Sequence, residues 1–199
     1  ACSGITVYNA LEKIGPLRDG EWLAVMGCGG LGLNAIAIAR AMGFDNIIGI
    51  DIDNSKLDAA RQMGASKTLN SKSANAVAEL QKFAESRLMA VIDTFGGEST
   101  GQLAVRALAK SGQYLLVGQA GGDFKMPQVW LPQKAMMVRG SHVGNSPQLR
   151  KLIDMVRDGK VKQIPIECRQ LSGINQAVED LEKGRVTGRI VFQPDQGKL

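Results

Sequence analysis

The sequence predicts an α/β fold, a doubly wound parallel sheet of six strands followed by a helix–strand–helix–strand tail. Three observations predict it. Short apolar runs alternate with amphipathic helical patterns at close intervals, as strands joined by crossover helices do. One junction, Trp22-Leu-Ala-Val-Met-Gly-Cys-Gly-Gly-Leu-Gly32, passes from an apolar run through a glycine turn into a helix-forming stretch that ends at Gly43. The next apolar run, Asn46 to Ile50, ends in Asp51, nineteen residues after Gly32.

That junction carries chemistry. Gly27 lets the chain leave the strand sharply, Gly29 leaves bare backbone for a pyrophosphate, and Gly32 lets helix and strand pack closely. With Gly30 and Leu31 completing the turn, phosphates would sit at the helix N-terminus, where unpaired N–H groups and the positive dipole end favour anions. Glycines in this spacing also make purely structural turns. Here strand, glycines, helix, second strand and acid stand in register, and the stretch reads as a dinucleotide site of the Rossmann type. Asp51 stands where a carboxylate accepts hydrogen bonds from a ribose diol, its bland alternative being a turn or helix cap. Asp53 follows closely and no arginine is near to receive a 2′-phosphate, so the pair of carboxylates favours NAD over NADP.

In chain order, Ile5, Tyr8, Leu11 and Ile14 mark a helix stopped by Gly15-Pro16. After the first two strands, Ser55-Lys-Leu-Asp58 has the form of a capping box opening a helix that ends at Gly64. A short strand at Lys67–Leu69, a helix from Ala74 to Ser86 and a strand from Met89 to Asp93 follow. A Gly96-Gly97 turn leads to a helix from Ser99 to Leu108, and Gln113–Val117 and Met136–His142 supply two further strands. Pro127 to Pro132 reads as a loop. Ser146-Pro147 opens the tail, with a helix to Gly159, a strand at Ile164–Cys168, a helix closed by Gly184 and a strand at Arg189–Phe192. Residues 1–144 therefore form the expected dinucleotide-binding domain and 145–199 a segment that a six-stranded sheet does not need.

Composition sets bounds. At 199 residues the chain holds one sizeable core or a domain with an appendage. No apolar stretch is both long and uncharged enough to span a bilayer, and no signal pattern opens the chain. The start lacks an initiator Met and enters a helical pattern at once, as expected for part of a longer protein. Three widely spaced cysteines, Cys2, Cys28 and Cys168, argue against a disulfide framework and for the reducing cytoplasm. The net charge of +5 is spread along the chain with no basic run or aromatic platform, so neither nucleic acid nor a membrane is expected as a partner.

Ala1-Cys-Ser-Gly-Ile-Thr-Val-Tyr-Asn-Ala-Leu11, the glycine turn, Ile50-Asp-Ile-Asp-Asn-Ser-Lys56, Gly140-Ser-His-Val-Gly144 and Gly188-Arg-Ile-Val191 together resemble zinc-dependent alcohol dehydrogenases of the medium-chain dehydrogenase/reductase superfamily. The resemblance runs from end to end but matches only the C-terminal part of such a protein. It implies that an alcohol bound to zinc loses its proton more readily and passes hydride to NAD, yielding an aldehyde or ketone. The catalytic domain carrying most zinc ligands would lie outside this chain, which alone would bind cofactor and turn nothing over. The tail would pack on that domain.

Residue by residue, the resemblance makes Cys2 one thiolate ligand of the zinc, against the reading of a small buried filler. Thr6 would contact the nicotinamide side or cap its helix. Lys56 would lie near the adenosine ribose or on a solvated surface. Thr94 and Phe95 would flank the cofactor path, and backbone groups of Val117, Ser141 and Val143 would hold the carboxamide, if they are not plain strand ends. Arg189 would reach the pyrophosphate or form a surface ion pair. His142 reads as structural or interfacial, and Cys28 and Cys168 as packing residues. The strand around Val138 to Val143 would pair edge to edge with its twin in a homo-oligomer. The rival readings are a zinc-free quinone-reductase-like NADPH oxidoreductase, which Cys2 and Asp51 oppose, and a free-standing NAD-sensing regulatory module, which leaves the first helix and the tail unexplained.

Overall fold

The computed structural model describes residues 2–194; Ala1 and the last residues of the expected tail segment lie outside them. Helix α1 (Cys2–Ile14) leads into β1 (Trp22–Met26), α2 (Gly30–Ala41), β2 (Ile47–Asp51), α3 (Asn54–Met63), β3 (Lys67–Asn70), α4 (Ala76–Phe83), β4 (Leu88–Asp93), α5 (Glu98–Ala107), β5 (Gln113–Leu116), α6 (Trp130–Lys134) and β6 (Met137–Gly140). The sheet has the order β3-β2-β1-β4-β5-β6 with every pair parallel. This is the expected Rossmann arrangement, and its order reverses between β1 and β4, so a crevice opens there beyond the C-terminal strand ends. The tail supplies α7 (Ser146–Arg157), β7 (Ile166–Gln170), α8 (Ile174–Glu182) and β8 (Arg189–Gln193), with β7 and β8 paired in parallel as a sheet of their own.

The central strand explains the layering. Side chains alternate across a strand, so Leu23 and Val25 of β1 face one way and Trp22, Ala24 and Met26 the other. The first pair packs into a core with Leu11 of α1 and Leu33 and Ile36 of α2. The second set packs with Leu80 of α4 and Ala104 and Val105 of α5. Burial on both faces is why β1 reads as an unbroken apolar run. Helix α1 thus belongs to the core of the domain, and Leu152 of α7 joins it there, while Val178 and Leu181 of α8 stay exposed. Among the described residues no helix is long and apolar enough to cross a membrane.

Local expectations shift in four places. The cap of α3 is Asp53 and not Ser55: Asp53 is extended, and its carboxylate accepts the Ser55 N–H at 2.8 Å. The chain turns straight out of β2, so the acid arrives first at the position where a side-chain acceptor is needed. The stretch expected as a loop ends in the short α6, which tolerates Pro132 because a first-turn N–H has no helical partner. Strand β6 stops at Gly140, before His142, because its partner β5 ends opposite it at Leu116; the chain then kinks at Val143, whose φ is 40°. The first tail strand begins after Pro165, which has no N–H for the ladder; its carbonyl instead accepts the Arg189 N–H at 3.0 Å.

The packing separates α1 from α8 in energetic terms. Leu11→Ala, at a site with 0% exposure, should lower stability in urea unfolding by about 2–5 kcal/mol. Leu181→Ala, at 67% exposure, should change it by less than about 0.5 kcal/mol.

Candidate dinucleotide-binding site

The glycine turn follows β1 directly. Gly27 takes a left-handed conformation with φ 82°, and its N–H donates to the Ile50 carbonyl at 2.8 Å. A Cβ on Gly32 would overlap the Gly27 carbonyl, so only glycine lets α2 start this close to the strand. At Gly29, the N-cap of α2, a Cβ would meet open space. No side chain caps the helix there, so its first N–H groups are left for an outside acceptor. Gly30 is hemmed in by the Gly188 carbonyl and the Arg189 side chain, which brings the start of β8 over the turn.

Asp51 ends β2 beside this turn. Its Oδ2 accepts the Cys28 N–H at 2.7 Å, and its Oδ1 accepts the N–H groups of Ile52 and Asp53 at 2.8 and 3.0 Å. A carboxylate has about four lone-pair sites, so about one, on Oδ2, remains for a ribose hydroxyl. Cys28 itself is buried, and burial, with the Asp51 charge behind it, pushes its thiol well above the usual range. It packs as a small apolar group with its Sγ 3.5 Å from the Ile50 carbonyl.

A second acid supports the floor. Asp93, at 0% exposure, ends β4; its Oδ1 accepts the N–H groups of Phe95 and Gly96 at 2.9 and 2.8 Å, and its Oδ2 accepts the Tyr114 hydroxyl at 2.8 Å. The Thr94 hydroxyl lies 2.8 Å from the Met26 carbonyl and 2.9 Å from that of Gly27, tying the two turns together. Thr94 therefore acts on the turn through its hydroxyl, and Phe95 is the residue left exposed.

Three cavities flank the glycine turn, one of them, of about 350 Å³, lying between Gly30 and Leu31 and the tail residues Ala177, Leu181 and Phe192. A smaller one of about 200 Å³ is walled by Gly27, Asp51, Ile52, Phe95 and Leu103. A larger one of about 660 Å³ gathers Cys2, Thr6, Leu31, Val117, Ser141, Val143 and Arg189 from α1, α2, the ends of β5 and β6, and the tail. Lys56 stands apart from all three, its Nζ beside Gly184. The Thr6 hydroxyl donates to the Cys2 carbonyl at 2.7 Å, an internal helical bond. Residues missed in the sequence also line these walls: Gln119 and His142 in the larger cavity, Ile52 and Leu103 in the smaller. Asp93 carried a readable signal, an apolar run ending in an acid as at Asp51. His142 carried none, because it lies past the end of β6 and only the tertiary fold brings it to the cavity wall. A further cavity of about 340 Å³ between Arg18–Glu21 and Met42–Asn46 lies at the opposite ends of the strands and holds none of the predicted residues.

These residues fit a dinucleotide: bare backbone at a helix N-terminus, a carboxylate at the second strand end and a cavity on either side. They do not by themselves fit zinc. Among the described residues no group of three or more His, Cys, Asp or Glu is placed to hold a metal. Cys2 is exposed on the wall of the larger cavity and can supply one ligand only.

Residues 30–158 match the family model described as zinc-binding dehydrogenase. The chain belongs to the zinc-binding dehydrogenase family. Among this family's members, an NAD-dependent alcohol dehydrogenase of Sulfurisphaera tokodaii is 34% identical over 195 residues, covering 97% of this chain and 56% of the relative. The crystal structure of the alcohol dehydrogenase from Aeropyrum pernix superposes with a TM-score of 0.91 at 30% identity, over 98% of this chain and 56% of that one. An acetophenone reductase from Geotrichum candidum, solved in complex with NAD, gives a TM-score of 0.81 at 28% identity, over 96% and 53% of the two chains. The chain thus spans little more than half the length of the dehydrogenases it matches.

The Asp93–Tyr114 pair sets a pH dependence. Burial, then the Asp93 charge and hydrogen bond, raises the Tyr114 hydroxyl above its ordinary value. A pKa raised on folding stabilises the protein below the unfolded value and is lost as pH rises. The thermal midpoint should therefore fall above about pH 10. Tyr114→Phe should start about 1.5–3 kcal/mol less stable at neutral pH and converge with the unsubstituted protein at alkaline pH.

Proposed function

We propose that this chain is the NAD-binding portion of a zinc-dependent alcohol dehydrogenase that oxidises an alcohol to an aldehyde or ketone. The observation that carries the reading is the pair of cavities on either side of the glycine turn, one holding Asp51 and the other Cys2. Bound NAD supplies the hydride acceptor. The uncapped N–H groups at the start of α2, beside the bare backbone of Gly29, would bind the pyrophosphate, with Arg189 of β8 reaching it over Gly30. Asp51 would accept a hydrogen bond from the adenosine ribose, with Lys56 on the next helix. The cavity walled by Ile52, Phe95 and Leu103 would receive the adenine, above the turn that Thr94 pins. Backbone groups of Val117, Ser141 and Val143 would hold the carboxamide, and Thr6 would back the nicotinamide from α1.

In this reading Cys2 gives one thiolate to a zinc whose other ligands come from outside this chain, so the chain alone binds cofactor without turnover. Residues 1–144 then form the cofactor domain, and 145–199 pack on the part that completes the enzyme. The exposed apolar side chains of α8, Ile174, Val178 and Leu181, suit such a contact. The edge strand β6 exposes Met137 and Val138, which supports pairing with a second copy in a homo-oligomer. The three unpaired cysteines suit a reducing compartment, and we place the protein in the cytoplasm with a small alcohol or carbonyl compound as its substrate.

Calorimetric titration with NAD and with NADP tests the reading. NAD should bind at least about tenfold tighter than NADP, and Asp51→Ala should weaken NAD by about ten- to a hundredfold, the loss expected when a charged hydrogen-bond acceptor is removed. Tighter binding of NADP would overturn the role of Asp51 and favour a quinone-reductase-like enzyme.

A further inference from the structure

We propose that Asn9 is the positioning residue of the nicotinamide end of this site, holding the Ser141–Val143 backbone in the conformation that receives the carboxamide. The inference rests on the NAD-binding reading above and goes beyond it. A cradle made of backbone has no side chain of its own to define its shape. Something else must hold it.

The segment needs holding. Val143 has a φ of 40°, in the left-handed region that a β-branched residue enters only under constraint. Its N–H makes no hydrogen bond among the described residues, although the residue lies on the cavity wall. Its carbonyl, by contrast, accepts the Asn9 Nδ2 at 2.8 Å. The same Nδ2 lies 3.4 Å from the His142 carbonyl and 3.5 Å from the Ser141 Oγ. One amide therefore faces all three residues of the segment. Asn9 is itself 8% exposed, from the middle of α1, so the partners of its amide group are part of the packing.

A chain of bonds sets which way that amide points. Glu12 has a carboxyl held below its ordinary value, chiefly by the Gln148 hydrogen bond, with the Lys151 ammonium adding to the effect, and it can only accept. Gln148 Nε2 donates to Glu12 Oε2 at 2.8 Å and to Asn9 Oδ1 at 3.0 Å. With its oxygen so used, Asn9 presents its NH₂ to Val143. Gln148 Oε1 accepts the Asn145 N–H at 2.9 Å, and the Asn145 side chain accepts the Gln148 N–H at 3.0 Å, closing the cap of α7. Gly144 fits between: a Cβ there would come within 2.7 Å of both Gln148 Oε1 and Ile5 Cγ1. The segment is thus gripped from α1 and α7 together, while Lys13 Nζ reaches Ser141 Oγ at 3.1 Å.

The test compares NAD with ADP-ribose, which carries every part of the ligand except the nicotinamide, by calorimetric titration of the unsubstituted protein, Asn9→Ala and Asn9→Asp. Asn9→Asp keeps the acceptor for Gln148 and removes the donor to Val143. We expect the unsubstituted protein to bind NAD more tightly than ADP-ribose. Both variants should lose about tenfold in NAD affinity, about 1.4 kcal/mol, while ADP-ribose affinity stays within about twofold. Should either variant fail to fold, Gln148→Ala, which releases the orientation of the Asn9 amide, should show the same NAD-specific loss. Unchanged NAD binding in the variants, or equal losses for both ligands, would overturn the proposal. So would equal affinities for NAD and ADP-ribose in the unsubstituted protein. If that protein binds neither ligand, the NAD-binding reading itself fails and takes this inference with it.

Discussion

Where β1 ends, Gly32 lies so close to the Gly27 carbonyl that a methyl group between them would overlap the oxygen. That approach sets the height at which α2 starts above the sheet, and the other parts of the site take their positions from it. It places the uncapped N–H groups of α2 at the crevice between β1 and β4. It also leaves room behind the turn only for a small side chain, which is why the buried Cys28 sits there with its N–H on Asp51. A bulkier residue at position 32 would move the helix and, with it, the uncapped N–H groups and the Cys28 N–H that Asp51 accepts.

The strands on either side of β1 both end in an aspartate, and the two acids do different work. Asp51 orders its own turn through backbone N–H groups yet stays partly open to a cavity. Asp93 is closed off, with Phe95, Gly96 and Tyr114 as its donors, and fixes the wall that Phe95 forms. A carboxylate at a strand end can meet several N–H donors at once because the chain turns sharply there and its amides have left the ladder. Solvent access then decides whether such an acid serves a ligand or the fold.

The tail is neither separate from the cofactor domain nor fully used by it. Leu152 and Ile164 are buried in its core, and the start of β8 is drawn over Gly30. Helix α8, however, turns Ile174, Val178 and Leu181 outward beside the exposed Leu171. An amphipathic helix with its apolar stripe in water indicates a surface made for contact. The chain spans little more than half of its relatives, and these side chains are open on its surface.

Much of the molecule follows from local patterns. The alternation of apolar runs and helical stretches determined the six parallel strands, and the glycine spacing determined the tight turn from β1 into α2, because each depends on residues close to one another in sequence. The same local reading misplaced the cap of α3 by two residues, since Ser55 and Asp53 are both good caps and the exit angle of β2 chooses between them. What only the tertiary structure decided is the far wall of the site. Asn9 meets Val143 across 134 positions of sequence, and Asp93 reaches Tyr114 across 21. Gln148 completes the grip only because α7 lies against α1. Backbone groups that receive a ligand have no side-chain signature, and the polar residues that hold them are recognisable only when distant segments are brought into contact by the burial of the core.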